Sequence, residues 1–138
     1  MTSIDLMREA IAVAHQSRAS NDVPVGALIV DPSGKIIATG TNEREAKSDP
    51  RKAATDGWRL DNHTLVVTLE PCAMCAGAIA QARISKVIFG AWDEKAGAAG
   101  SVWDVLRDPR AIHRVEVESG VLQEECAALL SDFFRSGQ

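Results

Sequence analysis

The sequence predicts an α/β fold in which helices cover a mixed five-stranded sheet. Short apolar segments rich in β-branched residues alternate along the chain with segments whose apolar residues recur at helical spacing. The chain has 138 residues, of which 46% are hydrophobic and 25% charged, so it has the length of one domain and the composition of a globular protein. Because no internal repeat or linker interrupts it, we expect a single domain spanning residues 1–138.

The N-terminal part of the chain predicts a helix followed by a β-hairpin. The helix ends near Arg18, has Ser3 as a candidate N-cap, and is amphipathic because of the regular spacing of Ile4, Met7, Ile11 and Ala14. Two β-branched runs over residues 25–31 and 36–41 flank the turn signal Asp31-Pro32-Ser33-Gly34. We therefore expect these two runs to pair as antiparallel strands.

The C-terminal part predicts a β-α-β unit and then three further elements. A strand over residues 64–69 leads into a helix of small residues over 72–83, which leads to a strand over 86–90. A short helix, a fifth strand and a closing helix follow, over residues 102–106, 114–118 and 122–134. Apolar residues on one face of the closing helix place Cys126 in the core.

Residues 42–63 are the weak point of this prediction, because strands as apolar as these need a helix here to cover the sheet. Asp49 and Pro50 make a good N-cap and first helical residue. Residues 51–56, however, contain only two alanines as apolar residues before Gly57 ends the helix. Fewer than two turns of mostly polar helix cannot fill that layer, so we expect a truncated second helix and a partly exposed core beside it.

Charge and hydropathy exclude several classes of protein. The net charge of -4 gives no general attraction for nucleic acid, so any RNA contact must be local. Nothing in the chain approaches the ~20 apolar residues of a membrane span, and the acidic N-terminus does not resemble a secretory signal. We therefore expect a cytoplasmic protein without membrane association. The sequence contains two groups of basic residues that could contact RNA, although solvated faces are the favoured interpretation. The first group is Arg44, Lys47, Arg51, Lys52 and Arg59, and the second is Arg107, Arg110 and Arg114.

The motif with the most chemical content lies at residues 69–75. Leu69-Glu70-Pro71-Cys72-Ala73-Met74-Cys75 places two thiols between the end of a strand and the first turn of a helix, where backbone N–H groups favour thiolates. Thiolates at this spacing bind one side of a soft cation such as Zn²⁺. A redox pair and two small buried cysteines remain alternatives, because Cys-x-x-Cys alone is only moderately specific.

Extended to residues 68–78, this motif resembles the second zinc motif of the cytidine deaminase-like fold in its bacterial tRNA-specific adenosine deaminase version. The resemblance implies a three-layer α/β/α arrangement with a mixed five-stranded sheet. It covers nearly the whole chain, through Pro24-Val25-Gly26-Ala27, Thr41-Asn42, Phe89-Gly90-Ala91, residues 97–101, His113-Arg114-Val115-Glu116 and residues 125–135.

The resemblance also implies a function. Members of this family convert the wobble adenosine of a tRNA anticodon to inosine, using Zn²⁺ held by one histidine and two cysteines, and a glutamate that moves the proton. By position, Cys72 and Cys75 correspond to two metal ligands, Asn42 to an asparagine that contacts the nucleoside, and Asp93 to an aspartate that contacts the RNA backbone. The implied partners are a tRNA anticodon stem-loop and a second copy of the chain in a homodimer.

The other half of the family's zinc motif is absent. In the family a His-Ala-Glu run opens a helix after an Asp-Pro pair, whereas here Pro50 is followed directly by residues that resemble the later part of that helix. About nine residues, some 13 Å of helix, are missing at the Pro50–Arg51 junction. His63 is expected roughly 20 Å from Cys72, at the far end of a strand. His15 and His113 are expected at the surface or in structural hydrogen bonds.

Glu70 is also a poor replacement, because it is restrained by Pro71 and would have to serve as metal ligand and proton shuttle at once. We therefore hypothesise that the chain as written contains no catalytic residue, binds Zn²⁺ weakly or not at all, and is inactive or severely impaired. Two alternatives stay open: a complete enzyme whose gene encodes a His-x-Glu at this junction, and a non-catalytic chain that binds RNA or dimerises. A free-base or nucleotide deaminase is disfavoured, because Asp93 and residues 97–101 resemble the RNA-acting branch.

Overall fold

The computed structural model describes residues 2–16, 23–41, 59–110 and 113–135. Within these ranges the elements are α1 (Ser3–Gln16), β1 (Gly26–Val30), β2 (Ile36–Thr41), β3 (Thr64–Leu69), α2 (Ala73–Gln81), β4 (Lys86–Ala91), β5 (Glu116–Glu118) and α3 (Gln123–Arg135). The strands form one sheet in the order β2-β1-β3-β4-β5, in which β1 is antiparallel to β2 and β3, and β4 is parallel to β3 and β5. The predicted mixed five-stranded sheet is therefore confirmed. None of the described helices has the length and apolar character needed to cross a membrane.

Helices cover both faces of the sheet. Alternate side chains of each strand point to opposite faces, and both faces carry buried apolar side chains that need to be covered. On one face, α1 and α3 pack on residues such as Leu28, Val66 and Ile88. On the other face, α2 packs on residues such as Val67 and Phe89. The truncated second helix that we predict belongs to residues 42–58, which lie outside the described residues, so the partly exposed core beside it stays a prediction.

The N-terminus of α1 is capped by Thr2 and not by Ser3, which corrects the assignment made from the sequence. Thr2 Oγ1 accepts a hydrogen bond from the Asp5 N–H at 3.1 Å, and the Thr2 N–H donates to Asp5 Oδ2 at 3.1 Å. These reciprocal bonds have the spacing of a capping box. The Ser3 hydroxyl instead donates to Glu118 Oε1 at 2.9 Å, which ties α1 to the edge strand β5. The predicted end near Arg18 lies outside the described residues.

The short helix predicted over residues 102–106 is wrong, because this segment is an irregular loop with one isolated bridge at Asp104. The Val105 N–H donates to the Ala98 carbonyl at 2.9 Å, and Ala99 and Asp104 face each other in an antiparallel bridge. Backbone groups that a helix would pair within the segment are therefore bonded to the preceding loop. The predicted elements that lie within the described residues are otherwise present, with ends that differ by up to two residues.

The parallel pair β3 and β4 sets the location of the candidate site. Leu69 of β3 pairs with Ala91 of β4, so both strands end at the same edge of the sheet. The chain turns directly from β3 into α2, whose residues Ala76 and Ile79 are fully buried against the sheet. Residues that follow β3 and β4 are thereby brought together at this edge.

Candidate functional site

Cys72 and Cys75 lie where the chain passes from β3 into α2, as the sequence predicts. Cys72 is the N-cap residue of α2, with φ −77° and ψ 177°, and its side chain makes no capping hydrogen bond. Cys75 lies in the first turn of the same helix. Both residues are partly exposed and neither forms a disulfide.

In the part of the chain that the structure describes, no donor atom near these thiols completes the zinc site implied by the family resemblance. A catalytic zinc ion needs three protein ligands besides its water. Within the described ranges, no third His, Cys, Asp or Glu joins Cys72 and Cys75 in a group that could hold a metal ion. All histidines and cysteines of the chain belong to the described residues, so the remaining residues can supply carboxylates but neither an imidazole nor a thiol.

Each histidine lies away from the thiol pair. His63 precedes β3 at the edge opposite Cys72, and its Nδ1 lies 2.8 Å from the Asp61 carbonyl oxygen. His113 precedes β5, and its Nε2 lies 2.9 Å from the Ile84 carbonyl oxygen. His15 is exposed in the last described turn of α1. The expectation of surface or structurally bonded histidines is confirmed.

Glu70, the acid beside the thiols, accepts hydrogen bonds from backbone amides of the 93–101 loop. Its side chain is buried, with Oε1 accepting the Asp93 N–H at 2.9 Å and Oε2 accepting the N–H groups of Ala99 at 2.9 Å and Ser101 at 3.0 Å. The carboxylate is therefore directed at the 93–101 loop and does not replace the missing ligand. This role is not among the sequence predictions, although an acid between an apolar strand and a helix of small residues is a signal for it, because a buried acid must be paired.

Asp93 follows β4 at the edge of the sheet that carries the thiols. Its Oδ1 accepts the N–H groups of Lys95 and Ala96, each at 3.1 Å, which turns the chain after the strand. Among the residues that the structure describes, Asp93 Oδ2 has no hydrogen-bond partner, and the residue is partly exposed. The structure thus brings Asp93 and the thiols to one edge, whereas Asn42 lies outside the described residues.

Of the four described residues in the two predicted basic groups, three are paired with near neighbours, whereas Arg114 forms no ion pair among the described residues. Arg59 contacts Asp61 at 3.0 Å, Arg107 contacts Asp104 at 3.1 Å, and Arg110 contacts Asp108 at 2.7 Å. The hydrogen bond from Arg110 lowers the pKa of Asp108 to about 2. These pairs favour the interpretation of solvated faces. The basic residues of the first group other than Arg59, namely Arg44, Lys47, Arg51 and Lys52, lie outside the described residues.

Comparisons with known proteins point to one family. The family model described as "Cytidine and deoxycytidylate deaminase zinc-binding region" matches residues 1–91. The chain is 44% identical to the tRNA-specific adenosine deaminase of Bacillus subtilis over 147 residues, covering 98% of this chain and 91% of the relative. It is 44% identical to that of Haemophilus influenzae over 141 residues, covering 94% and 82%. A solved structure from a study of A-to-I editing by tRNA:A34 deaminases at the wobble position gives a TM-score of 0.78 at 33% identity, covering 91% of this chain and 99% of the other.

The alignment with the Bacillus subtilis relative is longer than this chain. Its 147 aligned positions exceed the 138 residues of the chain by nine, so at least nine positions have no residue of this chain opposite them. The family model, the relatives and the shared fold agree, and tRNA-specific adenosine deaminases are among the relatives. The chain therefore belongs to the family of the cytidine and deoxycytidylate deaminase zinc-binding region.

Proposed function

We propose that this chain recognises a tRNA anticodon stem-loop and that, as written, it forms inosine at a severely reduced rate or not at all. The observation that carries this proposal is the donor set: two thiols at the start of α2, with every histidine of the chain elsewhere. A positioned proton carrier alone typically contributes about 10²–10⁴-fold to a rate, and the loss of a metal-activated water costs more. The similarity to tRNA-specific adenosine deaminases over nearly the whole chain supports the RNA partner.

Inosine formation and zinc content, measured on one sample, test this proposal. The substrate is a stem-loop RNA with adenosine at the wobble position, and the Bacillus subtilis relative serves as the active control. We expect inosine at the background level and well below one zinc per chain, because two thiolates hold the ion from one side only. Robust turnover with one zinc per chain would contradict the proposal. Sequencing the gene across the Pro50–Arg51 junction separates this chain from a complete enzyme that encodes a His-x-Glu there.

Asp93 is the described residue that we propose to contact the RNA backbone, through Oδ2, which no other described residue bonds. Ribose 2′-hydroxyls are the donors by which proteins distinguish RNA. We expect Asp93→Ala to weaken stem-loop binding about threefold to tenfold, because the variant loses the proposed Oδ2 contact and also the Oδ1 bonds that turn the chain. The measurement is fluorescence anisotropy with a labelled stem-loop at fixed ionic strength. Glu94→Ala, which removes an equal charge from the exposed neighbouring residue, is the matched control, and equal affinities of the two variants would exclude the contact.

We also propose that a second copy of the chain covers the apolar side chains beside Cys72. Met74 is 72% exposed, Trp103 62% and Val102 45%. Their segments adjoin, because the Trp103 N–H donates to the Gly97 carbonyl at 3.0 Å and Gly97 pairs with Cys72 in a bridge. Exposed apolar residues that lie together are typical of an interface.

The dimer is tested by sedimentation velocity over a range of protein concentrations. We expect Trp103→Ser to raise the dissociation constant roughly tenfold or more, as buried tryptophans at interfaces do. Phe134→Ser is the matched control, since Phe134 is also 62% exposed but lies on α3, and it should leave the constant unchanged. Equal effects of the two substitutions, or a monomer at every concentration, would contradict this arrangement.

A further inference from the structure

We infer that Glu70 is a positioning residue, whose carboxylate fixes the 93–101 loop on the turn at Cys72 and thereby sets the position of Asp93 relative to the thiols. The inference rests on the proposed function for the use of Asp93 in RNA binding. The placement of the loop by Glu70 is independent of it and is tested separately.

The carboxylate holds both ends of the loop. Oε1 accepts the Asp93 N–H at the start of the loop, and Oε2 accepts the N–H groups of Ala99 and Ser101 at its end. Glu70 itself follows β3, and its own N–H donates to the Ala91 carbonyl at 2.9 Å. One side chain anchored to the sheet therefore closes the loop that follows the neighbouring strand.

Further bonds join the loop to the backbone of the thiol motif. The Ala98 N–H donates to the Pro71 carbonyl at 2.8 Å, and Gly97 forms a bridge with Cys72. Within the loop, the Asp93 carbonyl accepts the Gly97 N–H at 2.9 Å and the Ser101 hydroxyl at 2.8 Å. The chain segment that carries Asp93 and the segment that carries Cys72 thus form one bonded unit around the carboxylate.

Gly97 shows how closely the loop is fitted to this side chain. A Cβ at Gly97 would overlap Glu70 Oε1 and Cδ and also the Ser101 hydroxyl. A carboxylate that is only 2% exposed is costly unless hydrogen bonds satisfy it, and here the loop amides supply those bonds. The carboxylate and the loop conformation therefore depend on each other.

Amide hydrogen exchange tests whether Glu70 fixes the loop. Glu70→Gln keeps the shape of the side chain but replaces one acceptor oxygen with an NH₂ group, and Gly97→Ala keeps the charge but displaces the carboxylate. In both variants we expect the Asp93, Ala99 and Ser101 amides to exchange roughly tenfold to a hundredfold faster, as for lost hydrogen bonds to a charged acceptor. Asp31→Asn is the control, because Asp31 accepts the Ser33 and Lys35 amides at 2.9 Å in the distant β1–β2 turn.

The outcomes of that experiment separate positioning from general stability. Fast exchange confined to the three amides, with the β3 and β4 amides unchanged, supports the inference. Unchanged exchange of the three amides, or uniform acceleration through β3 and β4, overturns it. Asp31→Asn should leave the three amides at their original rates.

A double-substitution cycle on stem-loop affinity tests whether Glu70 acts through Asp93. Glu70→Gln alone should weaken binding about as much as Asp93→Ala, threefold to tenfold. In the Asp93→Ala background, Glu70→Gln should cause no further loss of stem-loop affinity, because the contact that Glu70 positions is already lost. If the losses of stem-loop affinity from Glu70→Gln and Asp93→Ala add in the double variant, the inference is overturned. If the unsubstituted chain binds no stem-loop, the proposed function fails, whereas amide exchange still decides whether Glu70 places the loop.

Discussion

Inserting a family segment with its His-Ala-Glu run between Pro50 and Arg51 is expected to give one zinc per chain and to raise inosine formation by at least about 10²–10⁴-fold. The segment can be taken from the aligned Bacillus subtilis relative. The physical reason is that the two thiols proposed as ligands already lie together, with Cys72 as the N-cap of α2 and Cys75 in its first turn. The insertion supplies what the described residues lack, an imidazole ligand and a proton carrier. Inosine release and zinc content are measured on the same preparations.

Two control insertions separate the contribution of the metal from that of proton transfer. With alanine in place of the inserted histidine, we expect neither stoichiometric zinc nor inosine, because two thiolates alone hold the ion weakly. With alanine in place of the inserted glutamate, we expect zinc near one per chain but little inosine. An insertion that binds zinc no better than the present chain would show that the thiols are not poised for a third ligand, and the proposed origin of the inactivity would be wrong.

The fold could be predicted from the sequence where a local pattern and the tertiary structure agree. The strands are short β-branched runs between turn residues, and β2 and β3 have the predicted bounds, Ile36–Thr41 and Thr64–Leu69. The helix predicted over residues 102–106 failed because the Val105 N–H bonds to Ala98, a partner that no periodicity reveals. The N-cap was misassigned by one residue because both Thr2 and Ser3 are good caps, and only the bonds between Thr2 and Asp5 decide between them.

The site was predictable to the extent that its chemistry lies in one contiguous motif. Cys72 and Cys75 could be found from their spacing, and Asp93 from the family resemblance. The role of Glu70 could not be found, because its partners are backbone amides more than twenty positions along the chain. Backbone amides carry no signature in the sequence, so a side chain that organises a distant loop through them is visible only in the folded structure.

Gly26→Ala is expected to cause a large loss of stability, although it adds only one methyl group. A Cβ at Gly26 would overlap the Ala10 carbonyl oxygen and the Ala14 backbone nitrogen of α1. Backbone atoms of a helix cannot rotate away as a side chain can, so α1 would have to move off the sheet. That movement would expose Met7 and Ala10, which are fully buried. Overpacking typically costs about 1–3 kcal/mol, and we expect the free energy of unfolding to fall by about 3 kcal/mol or more.

Gly40→Ala is the matched control for this prediction. Gly40 lies on β2, the strand next to that of Gly26, and pairs with Ala27. A methyl group added at Gly40 would meet no atom of the described residues within 4 Å. We expect the free energy of unfolding to change by no more than about 0.5 kcal/mol, as at other unobstructed sites. Urea unfolding gives the midpoint and slope for both variants. The two substitutions add the same methyl group on adjacent strands and differ in the atoms that this group would contact. Similar urea midpoints for the two variants would therefore mean that α1 does not pack on β1 through Gly26.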